Sequence, residues 1–157
     1  MINTYISPSK TFSFEYPDNW KLSRNEDGSI LLWKKGGLLR KDSNYILRIV
    51  PLLSEIVISP ETYEIYVDYR RKEHADLEVI DKSESHIMNF HIIKYRQTSF
   101  QDAATKTVPA VQDCWELVLN NRIFKCSFTV TEGEEDSSRA REERAVAEQI
   151  LQGLRLL

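Results

Sequence analysis

The stretch WKKGGLLRKD, residues 33–42, places Lys34, Lys35, Arg40 and Lys41 around Gly36-Gly37. Successive backbone N–H groups at a glycine turn can cradle an anion, and four nearby cations would deepen the attraction. The spacing departs from the Gly-x-x-x-x-Gly-Lys-Ser/Thr of a phosphate loop, and no helix start follows it. Ordinary turn physics explains the pattern more simply, as a hairpin whose glycines supply positive φ and whose lysines guard a strand edge. A third use lies between these: a basic patch that recognises an acidic protein.

Other residues with chemical potential lack partners at useful spacing. His86 and His91 lie five apart and His74 closes a helical stretch, but a catalytic zinc needs a third ligand and a polarised water, and no His-Glu-x-x-His is present. No Gly-x-Ser-x-Gly elbow, Cys/His signature or dinucleotide fingerprint occurs. TEGEEDSSRAREE lacks the Asp-x-Asp-x-Asp-Gly calcium loop and reads as a solvated acidic run entering a helix. Tyr63, Tyr66 and Tyr69 recur at three-residue steps and drift around a helix. On this pattern Ile65, Tyr66 and Tyr69 cover the sheet, while Tyr63 and Val67 line its margin, where an aromatic anchors protein contacts well.

The 157 residues, 41% hydrophobic, suit one domain over 1–157 with one core. With 21 Lys and Arg against 24 Asp and Glu, the net charge of -3 opposes binding to nucleic-acid backbones. MINTYISPSK has no export-signal pattern and no Cys for lipid attachment, and the longest apolar run, YILRIVPLL, falls far short of the ~20 residues that cross a bilayer. A cytoplasmic protein without membrane contact is the expectation.

The elements that must position these residues follow from periodicity. TFSFEY alternates Phe12, Phe14 and Tyr16 with Ser13 and Glu15, and Pro17 closes the strand before an Asp18-Asn19 turn and a core Trp20. WKLSRNEDGSILLWKK gives two strands joined at residues 25–28, and SNYILRIVPLL a strand apolar on both sides, hence central. ISPETYEIYVDYRRKEHA is a helix, with Ser59 as cap, Pro60 at its first position and Arg70, Arg71 and Lys72 at its end. DLEVIDKSE, FHIIKYRQTSF, CWELVLN and RIFKCSFTV are strands. RAREERAVAEQILQG is the second helix, with Ala140, Ala147, Ile150, Leu151 and Leu154 inward and Arg139 pairing Glu143 on the wet side. The closing LRLL has the length of an edge strand.

CWELVLNNRIFKC invites a disulfide, and strand register argues against it. A two-residue Asn120-Asn121 turn sets Trp115 opposite Cys126, Leu117 opposite Phe124 and Cys114 opposite Ser127. Sliding by one residue would join the cysteines but turn the apolar set outward, so two free thiols are expected.

FSFEYPDNWK early, SHIMNFHIIKYR in mid-chain and NNRIFKCSFTVTEGEED leading to a helix that ends ILQGLRL together resemble the PsbP-like and Ran-release-factor-like group, over nearly the whole chain. The resemblance implies an α+β fold: an antiparallel sheet of about six to seven strands with helices packed on it, in a PsbP-like α/β/α sandwich. The group includes photosynthetic accessory proteins, a nuclear-transport regulator and many bacterial proteins, and most known members bind other proteins.

The expectation is a non-enzymatic protein-binding domain of the bacterial cytosol, an adaptor, chaperone or toxin-neutralising partner. Its candidate contact residues are Lys34, Lys35, Arg40, Lys41 and Tyr63, with no cofactor, metal or catalytic residue assigned. Self-association stays open. The alternative is a small-ligand-binding domain or enzyme with a cleft between helix and sheet.

Overall fold

The computed structural model of the chain describes residues 1–52, 65, 68, 69, 71–73, 78–81, 90–103, 106–119 and 122–157. Seven described strands make one antiparallel sheet: β3 (Trp20–Arg24), β4 (Ile30–Lys34), β5 (Ile46–Leu52), β6 (Glu78–Asp81), β7 (Phe90–Ala103), β8 (Lys106–Leu119) and β9 (Arg122–Thr131). Their order is β3-β4-β5-β9-β8-β7-β6, so the doubly apolar β5 is internal, as expected. The mostly antiparallel α+β architecture agrees with the sequence.

TFSFEY does not join that sheet. It is β2 (Phe12–Pro17), flanked by β1 (Ile2–Ile6) and by β10 (Arg155–Leu156), the returning LRLL, in a separate three-stranded sheet. Alternation identifies a half-buried strand without identifying its neighbours, which are set by long-range packing. Phe12 and Phe14 still point to the core, and the Phe12 ring meets Phe124 of β9 edge-on at 5.1 Å.

Local chemistry explains the joints. The β3–β4 turn is closed by the Gly28 amide donating to the Asn25 carbonyl at 3.1 Å, with Gly28 at φ +85°. That left-handed geometry suits glycine, which lacks a Cβ. β8 and β9 pair Trp115 with Cys126, Leu117 with Phe124 and Cys114 with Ser127, the register derived above, and both cysteines are free and buried.

Leu32, Tyr45, Leu47, Ile49, Trp115, Leu117, Phe124 and Phe128 form one face of the large sheet and pack with Ala140, Ala147, Ile150, Leu151 and Leu154 from the C-terminal segment. Ala110, Cys114 and Ile123, on the opposite face, are buried as well. Most of the C-terminal residues lie on helix α1 (Ser138–Gln152), capped by the Ser137 hydroxyl, which accepts the Ala140 amide at 3.1 Å, and ended at Gly153. Arg139 does bond Glu143, at 2.9 Å, but Glu143 is only 2% exposed, so the pair is not wholly on the wet side. A buried acid at that helical position is held by its partner, which spacing alone does not reveal.

Asp113 of β8 draws α1 to the sheet. Its carboxylate accepts the Arg96 Nε at 2.9 Å from β7 and lies 2.5 Å from the Arg144 Nε of α1. The second contact is an ion pair without hydrogen-bond alignment, because neither Asp113 Oδ2 nor Arg144 Nε has an aligned partner. Arg144 also donates to the Glu135 carbonyl at 2.6 Å.

Residues 65, 68, 69 and 71–73 are helical where described. Ile65 and Tyr69 are 70% and 60% exposed, which corrects their assignment to the sheet-covering side. They share a face with Asp68 and Lys72 at three- and four-residue spacing, and this mixed face is the outer one. Ser59, Pro60, Tyr63, Tyr66, Val67, Arg70, His74 and His86 lie outside the described residues.

Candidate partner-binding loop and groove

β4 ends at Lys34 and β5 begins at Ile46, so WKKGGLLRKD spans the end of β4 and most of the connection between them. The Ser43 amide returns to the Lys34 carbonyl at 2.9 Å and closes its base. Lys35 is tied to the β2–β3 turn twice: its amide donates to the Asn19 carbonyl at 2.8 Å and its Nζ to the Asp18 carbonyl at 2.9 Å. At the far end the Arg40 amide donates to the Gly37 carbonyl at 3.0 Å, making a tight turn with Leu38 and Leu39 at its corners.

Asp42 braces the loop from within. Oδ1 accepts the Gly36 amide at 3.0 Å; Oδ2 accepts the Trp33 indole N–H at 3.1 Å and pairs with Lys21 Nζ at 2.7 Å. The Lys21 contact, then the Gly36 amide, then the Trp33 indole hold its carboxyl below the ordinary range. The anion cradle suggested by the glycines therefore already holds a carboxylate of the same chain.

The role of the glycines differs from the expectation. Neither Gly36 nor Gly37 has a positive φ. Gly36 is required by a close approach instead: a Cβ there would stand 2.0 Å from the Arg40 carbonyl oxygen and 2.5 Å from that of Lys41, whereas one on Gly37 would meet nothing within 4 Å.

This folding leaves Leu38 and Leu39 at 105% and 99% exposure. Two wholly exposed leucines on a braced turn depart from the usual scatter of single surface apolar residues. Candidate selection by charge overlooked them; their signal was the Leu-Leu pair set between Gly-Gly and two cations.

Below the loop runs an open groove of about 780 Å³, walled by residues 34–37 and 40–44 and by Ser138, Arg139, Glu142 and Glu143 of α1. Lys34, Lys35, Arg40 and Lys41 thus come together around one feature, and Tyr63 lies outside the described residues. Arg139 adds a fifth cation, 4.9 Å above the Tyr45 ring. Of the three lining carboxylates, Asp42 is engaged as above and Glu143 is buried against Arg139, so the accessible character is basic. The Ser43 hydroxyl accepts the Tyr45 amide at 3.1 Å, and among the described residues no His or Cys lines the groove. Among the described residues no group of three His, Cys, Asp or Glu side chains is placed to hold a metal, and no helix is long and apolar enough to cross a membrane.

No protein-family model matches the chain. No curated protein matches it either. Solved structures do. A protein of Bacteroides thetaiotaomicron VPI-5482 aligns over 98% of this chain with 19% identity and a TM-score of 0.63. The alignment covers 48% of that protein, so the present chain spans about half its length. The Ran-binding protein Mog1p of Saccharomyces cerevisiae aligns over 99% of this chain and 95% of its own, with 9% identity and a TM-score of 0.51. The cyanobacterial PsbP of Synechocystis sp. PCC 6803 aligns over 99% and 92%, with 9% identity and a TM-score of 0.42. The fold is one that the Bacteroides protein and Mog1p share, in line with the Ran-release-factor-like part of the sequence resemblance.

Proposed function

We propose that the chain is a non-enzymatic protein-binding domain that engages an acidic protein through the loop between β4 and β5. The observation that carries this is the turn at Leu38-Leu39, wholly exposed, on a loop braced by Asp42 whose flanking residues Lys34, Lys35, Arg40 and Lys41 line the groove below it. Apolar side chains that lose their water against a partner supply contact energy, and the surrounding charges set encounter rate and specificity. Sharing a fold with a Ran-binding protein supports the general role and leaves the partner open.

In this reading the domain is a cytoplasmic adaptor, chaperone or toxin-neutralising partner, with helices on both faces of the large sheet in an α/β/α sandwich. A photo-cross-linking amino acid placed at Leu39 in the native cell tests it. One dominant adduct with an acidic protein is expected, and it should be lost when Lys34 and Lys35 become Glu. Labelling no more selective than from the exposed control position Glu15 would overturn the proposal.

A further inference from the structure

A second cavity, of about 640 Å³, lies at the opposite end of β4 and β5 from the basic loop. It sits where the β1–β2 turn, the β3–β4 turn, the end of β5 and the start of β9 converge. Its volume is typical of small-molecule sites, which are mainly apolar with a few fixed polar groups. Tyr5, Phe12 and Phe124 form an aromatic wall, with Tyr5 and Phe12 ring centres 6.1 Å apart and Phe12 and Phe124 5.1 Å apart. Pro51 and Leu52 continue the apolar lining.

The β1–β2 turn beside this wall is firmly set. The buried Ser7 hydroxyl accepts the Thr11 amide at 2.9 Å and the Phe12 amide at 3.2 Å, and Lys10 takes a left-handed φ of +55° to close the turn. Such a conformation is unfavourable for a residue with a Cβ and persists where surrounding bonds impose it.

Two guanidinium groups complete the lining, Arg24 from the end of β3 and Arg122 from the start of β9. Neither has a carboxylate partner among the described residues. The third charged group, Asp27, is already occupied: it accepts the Ser29 amide at 2.9 Å and the Ser29 hydroxyl at 2.6 Å, and pairs with Arg48 at 3.2 Å. Burial raises the Tyr5 pKa and the Arg24 charge opposes that rise.

We infer that this cavity binds a small amphipathic carboxylate, its head group between Arg24 and Arg122 and its apolar body against Tyr5, Phe12, Leu52 and Phe124. Guanidinium suits a carboxylate by its planar donor fork, and a free acid of this kind satisfies both halves of the cavity at once.

Decanoate and 1-decanol, alike except for charge, are the probes, followed by amide NMR shifts on the full chain. Decanoate should bind saturably and move the resonances of Ser9, Gly28 and Arg122. Arg24→Gln with Arg122→Gln should weaken decanoate about tenfold or more, the loss of a charged hydrogen bond, while changing 1-decanol less than about twofold. Arg24→Lys with Arg122→Lys keeps the charge but loses the planar fork, so it should bind decanoate more weakly than wild type and more tightly than the Gln variant, which also reports on folding. Decanoate shifts centred elsewhere, no saturable binding, or equal affinity in the Gln variant would each overturn the assignment.

Discussion

The Gly36 amide donates to the Asp42 carboxylate at 3.0 Å across the base of a loop whose outermost residues are Leu38 and Leu39. This bond converts a glycine-containing loop into a fixed presentation of two leucines. Because the approach leaves no room for a side chain at Gly36 and ample room at Gly37, the two glycines should behave differently. Gly36→Ala must displace the backbone at Arg40 and should cost about 1–3 kcal/mol in chemical denaturation. Gly37→Ala should stay within about 0.5 kcal/mol, as surface changes away from special features do.

Asp42 also gives the loop an acid limit. Its folded pKa is depressed, so its contribution is fully present above the ordinary aspartate pKa of about 3.9 and is lost as pH falls through the lower, folded value. The Trp33 indole N–H resonance, which reports the bond to Asp42, should hold steady through pH 4 and move only under stronger acid. A midpoint near 4 would contradict the bracing.

Asp113 ties β7 and α1 to β8 with 5% exposure of its side chain. Asp113→Ala removes the buried carboxylate that Arg96 and Arg144 share and should cost about 3 kcal/mol, at the low end for a broken buried pair because Arg96 is 38% exposed and keeps its contact to Asp136. Asp136→Ala, an exposed contact to Arg96 at 3.8 Å, should change stability by less than about 1 kcal/mol. Urea unfolding of both variants makes the comparison.

Burial pushes the Cys126 thiol pKa up, and the β8–β9 register turns Cys114 to the other face. With the thiolate suppressed and access closed, Ellman's reagent should find no fast-reacting thiol in the native protein and two in guanidinium chloride. A disulfide, or a thiol that reacts rapidly before unfolding, would contradict this packing.

The β8–β9 hairpin was legible because Trp115, Leu117, Phe124 and Cys126 satisfy only one register without exposing the apolar set. Helix α1 was equally legible from Ala140, Ala147, Ile150 and Leu151. The small sheet was not: β1 is short, and the pairing of Leu156 with Phe12 joins the two ends of the chain. Alternation carries no information about such partners. At the candidate loop the cations were legible by charge, whereas the exposure of Leu38 and Leu39 and the exclusion of a Cβ at Gly36 depend on how Asp42 folds the backbone. The outward side of Ile65 and Tyr69 is not legible, because recurrence of aromatic residues at helical spacing does not distinguish a buried stripe from an exposed one.

The most direct measurement is the affinity for the protein cross-linked through position 39, compared between the wild-type chain and Leu38→Asp with Leu39→Asp. Both leucines are wholly exposed, so the substitutions should leave unfolding unchanged while weakening binding about 100-fold or more, the loss of two anchoring contacts. Unchanged affinity in a folded double variant would contradict the assignment of this loop as the binding surface.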